Sequence, residues 1–344
     1  MLLLLTALPA LLGLSYVFDF WGNDDDDEVE QQNVSGTEAY TGTEGADNLL
    51  GDDADNIISG AAGNDIINGA DGNDQLDGGT GKDTLIGGLG DDVLDGGFQD
   101  DTLNGGDGYD TLLGNGGDDT IYAGAGDDQA EGGYGDDRVF LGDGNDTYGT
   151  AGLGDGNDGT AGLDTLEAIL EEAETLADLS NAAGALYRQE GDDFIRGGAG
   201  NDIIIDTLGS NTVHGDEGAD RIITLDIGDT GTADTVYGGY GADSILVDDG
   251  DTVSGGANAD DIVILRFESE DDDVVTVTDF APEEDSLELI WTGGALVADP
   301  ALEYTDENGG VMLSYDGVDL AFLANVNSGQ VTGANITLYT AEFT

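Results

Sequence analysis

From Asp65 to Asp146 an aspartate recurs at every ninth residue: Asp65, Asp74, Asp83, Asp92, Asp101, Asp110, Asp119, Asp128, Asp137 and Asp146. Glycine stands two residues before each, except at Gln99. Ile, Leu or Val stands two residues after, except at Ala130 and Tyr148. The unit reads Gly-Gly-x-Gly-x-Asp-x-apolar-x, as in Gly87-Gly88-Leu89-Gly90-Asp91-Asp92-Val93-Leu94-Asp95. Carboxylates on flexible loops, beside main-chain carbonyls that can turn inward, are hard oxygen ligands. Calcium is the cation that accepts many of them without rigid geometry, whereas magnesium demands a tighter octahedron and keeps its water. Zinc favours His or Cys, and the chain has one histidine, His214, and no cysteine. His214 falls at the last position of an irregular repeat and reads as an exposed strand residue, not a ligand or base.

A nine-residue period is too short for a helical repeat and suits a coil of short strands joined by tight loops. If two nonapeptides make one turn, loops on one edge come from residues eighteen apart. Asp65, Asp83, Asp101, Asp119 and Asp137 then line one edge, and Asp74, Asp92, Asp110, Asp128 and Asp146 the other. Adjacent coils lie about 4.8 Å apart. Two carboxylates at that spacing repel by about 1 kcal/mol in water and about 3 to 4 kcal/mol at an effective dielectric of 20. A divalent cation between them reverses that sign, so metal binding becomes folding free energy. The glycines follow from the same geometry, because loop carbonyls that turn toward an ion use positive φ, where a Cβ would clash.

Ten in-phase copies of this unit resemble the nonapeptide repeat of the RTX family, the hemolysin-type calcium-binding proteins. The phased first array runs over residues 42–149 and a second over 188–263, together more than half of the chain. The resemblance implies an all-β fold: a right-handed parallel β-roll, or β-solenoid, with multiple Ca2+ ions held between stacked loops. It also implies that the segment Thr278-Asp279-Phe280 with Asp285-Ser286-Leu287 caps the roll, next to a C-terminal type I secretion signal. The terminal residues 337–344 are uncharged apart from Glu342, as such a signal or a plain terminal strand would be.

The same reading divides the chain. Residues 1–20 form a hydrophobic anchor or signal, 21–41 an acidic linker, 42–162 the first roll, 163–187 a helical insertion, 188–263 the second roll, and 264–344 a small β-rich cap. Asp47 opens the ligand series; Asn56 takes the next slot, with Asp55 one place early. After Gly149 the phase fails, and Asp158 ends a loop three residues out of step, with no apolar residue two places on. Leu163, Leu166, Ile169, Leu170, Ala173, Leu176, Leu179, Ala183 and Leu186 follow helical spacing. Asp164 can cap that helix, with Glu167 three residues on. Covering an exposed end or side of the roll is its expected role, with partner binding as the other. The second array resumes with Asp193, Asp202, Asp220, Asp234, Asp243 and Asp260; Asn211 fills one slot and Thr252 replaces another carboxylate. Beyond residue 264 alternating strands are expected over 274–280, 286–291 and 311–315, with a hairpin turn at Asp316-Gly317.

The formal net charge of −70, from 76 acidic and 6 basic residues, leaves no basic footprint for nucleic acid. Such acidity is usual in disordered chains, but here the acids are periodic and interleaved with apolar residues. Without cysteine there are no disulfides, which fits export with metal in place of covalent staples. Residues 2–18 are apolar and long enough as a helix for one bilayer core. No Lys or Arg precedes them, and Leu8-Pro9-Ala10 matches a cleavage site poorly. An uncleaved anchor is favoured over a cleaved signal or a buried N-terminus. No His-Glu-x-x-His, Gly-x-Ser-x-Gly or phosphate loop is present, so no enzyme is expected. The reading is an exported, surface-exposed calcium-binding protein with a structural or adhesive role, whose partner is a cell surface, polysaccharide or protein. The alternative is a non-adhesive secretion and folding module supporting an enzymatic site in the C-terminal region.

Overall fold

The computed structural model describes residues 31–149, 192–206, 209–225, 233–266, 274–291, 301–331 and 336–340. In this structure consecutive strands alternate between two facing sheets. Among the described residues one has fifteen strands and the other thirteen, and strand follows strand within each almost wholly in parallel. Through the phased array each nonapeptide contributes one strand, such as Ile66–Asp71 to the first sheet and Gln75–Thr80 to the second. Two nonapeptides therefore make one coil, and the described repeats form a parallel β-roll.

The residue two places after each aspartate points inward. In the first sheet Leu49, Ile67, Leu85, Leu103, Ile121, Val139, Ile195, Val213, Val236 and Val253 pair in unbroken register. In the second, Ile58, Leu76, Leu94, Leu112, Ala130, Tyr148, Ile204, Ile222, Ile245 and Ile262 do the same. All are buried. Strand alternation sends the residue two places further on inward as well. In the first array that residue is small at most coils, as at Gly69, Gly78 and Gly87, where a Cβ would meet the aspartate of the next loop and a carbonyl of the next coil.

The second array departs from this plan. The strands Ile203–Asp206, Arg221–Thr224 and Ser244–Val247 are four residues long, and all but their first residue are buried. Ile205, Ile223, Leu246 and Val263 pair with one another on the outer face and are buried there too. Each such side chain contributes roughly 1.5 to 3 kcal/mol, so this half draws more of its stability from apolar burial.

Residues beyond 264 continue the roll before closing it. Val275–Val277 adds to the first sheet, and Ser286–Trp291 and then Ile336–Thr340 add to the second. Val318–Ala324 pairs in parallel with Val275–Val277, then antiparallel with Gly310–Tyr315, which pairs with Glu303–Glu307. The expected hairpin turn is present, with Asp316 at φ 51° and Gly317 at φ 82°. Asp279 accepts the amides of Gly255 and Gly256 and the Ser254 hydroxyl, while Phe280 is buried in the core. The described residues hold one four-residue helix, Ser328–Val331. The expected helix at 163–187, the apolar run 2–18 and Asp158 lie outside the described residues. Among those described, no helix is long and apolar enough to cross a membrane.

Candidate metal centre

Every ninth-residue aspartate is buried, and each joins one of two ladders along the two edges of the roll. On one edge the main-chain amide of Asp65 donates to Asp83 Oδ1 at 2.7 Å, that of Asp83 to Asp101, that of Asp101 to Asp119, and that of Asp119 to Asp137 at 2.8 Å. On the other edge Asp74 donates to Asp92, Asp92 to Asp110, Asp110 to Asp128 and Asp128 to Asp146. The eighteen-residue pairing expected from the sequence is therefore the pairing observed. Asp47 and Asn56 begin the two ladders, donating to Asp65 and Asp74.

One oxygen of each carboxylate is thus satisfied by the protein; the other is not. Oδ2 is buried without a hydrogen-bond partner at Asp65, Asp74, Asp83, Asp92, Asp101, Asp110, Asp119, Asp128, Asp137 and Asp146. The same holds at Asp202, Asp220, Asp234, Asp243 and Asp260. A buried, unpaired carboxylate oxygen is costly unless it neutralises or meets a cation. The strand glycine five residues earlier shows where these oxygens point. A Cβ at Gly78 would lie 2.6 Å from Asp83 Oδ2 and 2.6 Å from the Gly96 carbonyl of the next coil. At Gly87 the corresponding values are 2.3 Å to Asp92 Oδ2 and 2.6 Å to the Gly105 carbonyl. Oxygens from successive coils converge on a cradle that any side chain would fill. Gly79 and Gly81, at φ 94° and 145°, turn the backbone around it.

Among the described residues, no three His, Cys, Asp or Glu side chains converge as a metal cluster. An ion here must take main-chain carbonyls as well as Asp Oδ2. That donor set fits calcium, which accepts many oxygens at flexible positions, and excludes a His- or Cys-bound metal. Bound calcium supplies positive charge between carboxylates that otherwise face one another unpaired.

The electrostatics agree. Burial, with neighbouring aspartates adding to it, pushes Asp92, Asp101 and Asp128 up to about 7 and Asp137 to about 8. Burial raises Asp110, Asp119 and Asp146 to about 6. Amide donation to Oδ1 lowers all of them in part, but does not offset the burial.

In the second array one edge carries Asp202, Asp220, Asp243, Asp260 and then Asp285, joined by the same amide-to-Oδ1 bonds. The other carries Asp193, Asn211, Asp234 and Asp251. Thr252 was expected in that last slot, with its carboxylate lost. The structure corrects this: the loop is one residue shorter, so Asp251 reaches the ladder and Thr252 opens the strand. Asp285 was also missed as a ladder member; its Asp-x-apolar signature, Asp285-Ser286-Leu287, is the trace of the motif.

A further ladder was not expected at all. Where the residue before a ladder aspartate is Asn or Asp, its side-chain oxygen accepts the amide of its counterpart one coil on. Asn64 accepts from Lys82, Asn73 from Asp91, and Asp118 from Asp136. The signal was present, since this position is Asn or Asp in most repeats. His214 sits on a strand, as expected, but is partly covered by rings. It stacks on Tyr237 at 4.5 Å and lies 5.5 Å from Phe194.

The RTX calcium-binding nonapeptide repeat matches the chain in four copies, at residues 41–76, 77–112, 113–148 and 188–223. Each copy spans two coils. No curated protein matches the chain.

Proposed function

We propose that this RTX calcium-binding repeat protein is an exported, surface-exposed structural or adhesive element whose fold is assembled by calcium. The observation that carries this reading is the series of buried Oδ2 atoms left without partners, repeated along both edges of the roll. A chain that must hold so many buried carboxylates apart is poorly folded where calcium is scarce and folded where it is abundant. The extracellular medium is such a place. The absence of cysteine and the acidic surface fit the same destination. The apolar residues 2–18 are proposed as its membrane anchor or export signal, and residues 264–344 as a β-rich cap that carries a type I secretion signal. The chain carries no recognised catalytic motif, and a non-catalytic role is part of the proposal.

The test is circular dichroism of the full chain in EDTA and after millimolar calcium, with fractionation of the producing cell. A strand signal that appears with calcium, in protein found outside or on the cell, supports the reading. An unchanged strand signal in EDTA removes calcium as the assembling agent, and confinement to the cytoplasm removes export.

A further inference from the structure

The two arrays do not treat their edges alike. Along the Asp202, Asp220, Asp243 and Asp260 edge every Oδ2 lacks a partner, and every cradle glycine is present. A Cβ at Gly197 would lie 2.3 Å from Asp202 Oδ2 and 2.6 Å from the Gly215 carbonyl. At Gly238 it would lie 2.6 Å from Asp243 Oδ2 and 2.4 Å from the Gly255 carbonyl. This is the geometry of the first array.

The opposite edge differs at each coil. Its cradle glycines, represented by Gly78 and Gly96 in the first array, are replaced by Asp206, Thr224, Val247 and Ile264, all fully buried. The ladder carboxylates also find protein partners. The Tyr148 hydroxyl lies 3.4 Å from Asp193 Oδ2, and the Asp248 amide donates to Asp251 Oδ2 at 3.1 Å. Asn211 brings a neutral amide in place of a carboxylate. Asp234 Oδ2 keeps no partner, yet its ladder neighbours are that neutral amide and the satisfied Asp251. At Asp128 and Asp146 in the first array the cradle also carries a side chain, Ala123 and Leu141, but both Oδ2 atoms stay unpartnered. Along the second-array edge filled cradles coincide with ladder groups that are satisfied at Asp193 and Asp251 and neutral at Asn211, Asp234 being the exception.

We infer that the second array takes calcium on one edge only, that of Asp202, Asp220, Asp243 and Asp260. The edge of Asp193, Asn211, Asp234 and Asp251 is closed by the protein's own groups. The inference rests on calcium binding by the ladders as proposed above. The buried outer face of Ile205, Ile223 and Leu246 supplies the cohesion that metal supplies elsewhere.

The test counts calcium bound at saturation by the full chain and by Asp101→Asn, Asp220→Asn and Asp234→Asn, using equilibrium dialysis with calcium alone. Asparagine keeps the Oδ1 acceptor, as Asn211 does in this ladder, so the amide bond survives. Hydrogen exchange on each variant checks that the coils remain formed. Fewer ions bound by Asp101→Asn and Asp220→Asn, with an unchanged count in Asp234→Asn, is the expected result. An equal loss at Asp220→Asn and Asp234→Asn overturns the inference and leaves the calcium reading standing. So does a loss confined to Asp101→Asn. No loss in any of the three removes the calcium reading, and the inference with it.

Discussion

The main-chain amide of Asp137 donates to Asp193 Oδ1 at 2.8 Å, across 56 residues of sequence. Between aspartates within the first array the same bond spans eighteen residues, as between Asp119 and Asp137. Asp146 and Asp202 repeat the relationship on the other edge at 2.9 Å, again across 56 residues. Both ladders thus run unbroken from the first array into the second. Strand register is unchanged across this junction, since Val139 pairs with Ile195 as Ile121 pairs with Val139.

Removing residues 150–187 restores the eighteen-residue step from Asp137 to Asp193. Because solenoid stability is carried by neighbouring coils, the shortened chain is expected to keep its calcium-dependent strand signal and its calcium midpoint. Circular dichroism titration measures both. A lost strand signal would mean that the ladder alone does not hold the junction.

Asp101→Asn is expected to raise the calcium midpoint by about tenfold or more, the scale seen when even an outer-sphere partner at a metal site is lost. Asp107→Asn, six residues away, is the control. Asp107 is exposed, where substitutions usually stay within about 0.5 kcal/mol. Hydrogen exchange should rise locally in Thr84–Leu89, Thr102–Asp107 and Thr120–Ala125 and stay unchanged in distant coils. Equal midpoints for the two variants would take Asp101 out of the ligand set.

Gly78→Ala and Gly116→Ala separate the cradle from glycine content in general. A Cβ at Gly78 would lie 2.6 Å from both Asp83 Oδ2 and the Gly96 carbonyl, whereas the nearest atom to one at Gly116 is 3.9 Å away. Overpacking of this kind costs about 1 to 3 kcal/mol. Gly78→Ala should therefore weaken calcium binding and loosen its coil, while Gly116→Ala should match the parent in a calcium titration. Equal behaviour would show that the space beside Gly78 is not where the ion sits.

How far the fold could be read in advance depended on where the period held. From Asp65 to Asp146 the aspartate, the glycines and the apolar residue each have one structural place, so spacing alone fixed edge, register and core. Gln99 broke the glycine pattern without breaking the turn; it adopts φ 78° in place of glycine. In the second array the loops change length, and periodicity loses the phase. One missing residue moved the ladder from position 252 to Asp251. Burial of Ile205 and Ile223 on the outer face was hidden because a run such as Ile203-Ile204-Ile205 states that both faces are apolar, not what the second one meets. Asp206 and Asp248 stand outside the ninth-residue series, so the period says nothing of them, and both are buried.

The raised aspartates give the calcium-free protein an unusual dependence on pH. An unfolded aspartate titrates near about 3.9, while burial holds Asp92, Asp101 and Asp128 at about 7 and Asp137 at about 8 in the roll. Between these values the folded chain binds protons that the unfolded chain has released. Stability of the metal-free roll is then fully present below about pH 4 and is lost as pH rises through about 6 to 8. Protons and calcium satisfy the same oxygens, so the calcium midpoint should rise as pH falls through that window. In EDTA, dilute protein at pH 5 should therefore show more strand signal than at pH 8, and millimolar calcium should abolish the difference. Measurement at pH 5 keeps the chain above its isoelectric point of about 4.1. A calcium-free roll that is more ordered at pH 8 than at pH 5 would falsify the picture of neutralised ladder carboxylates.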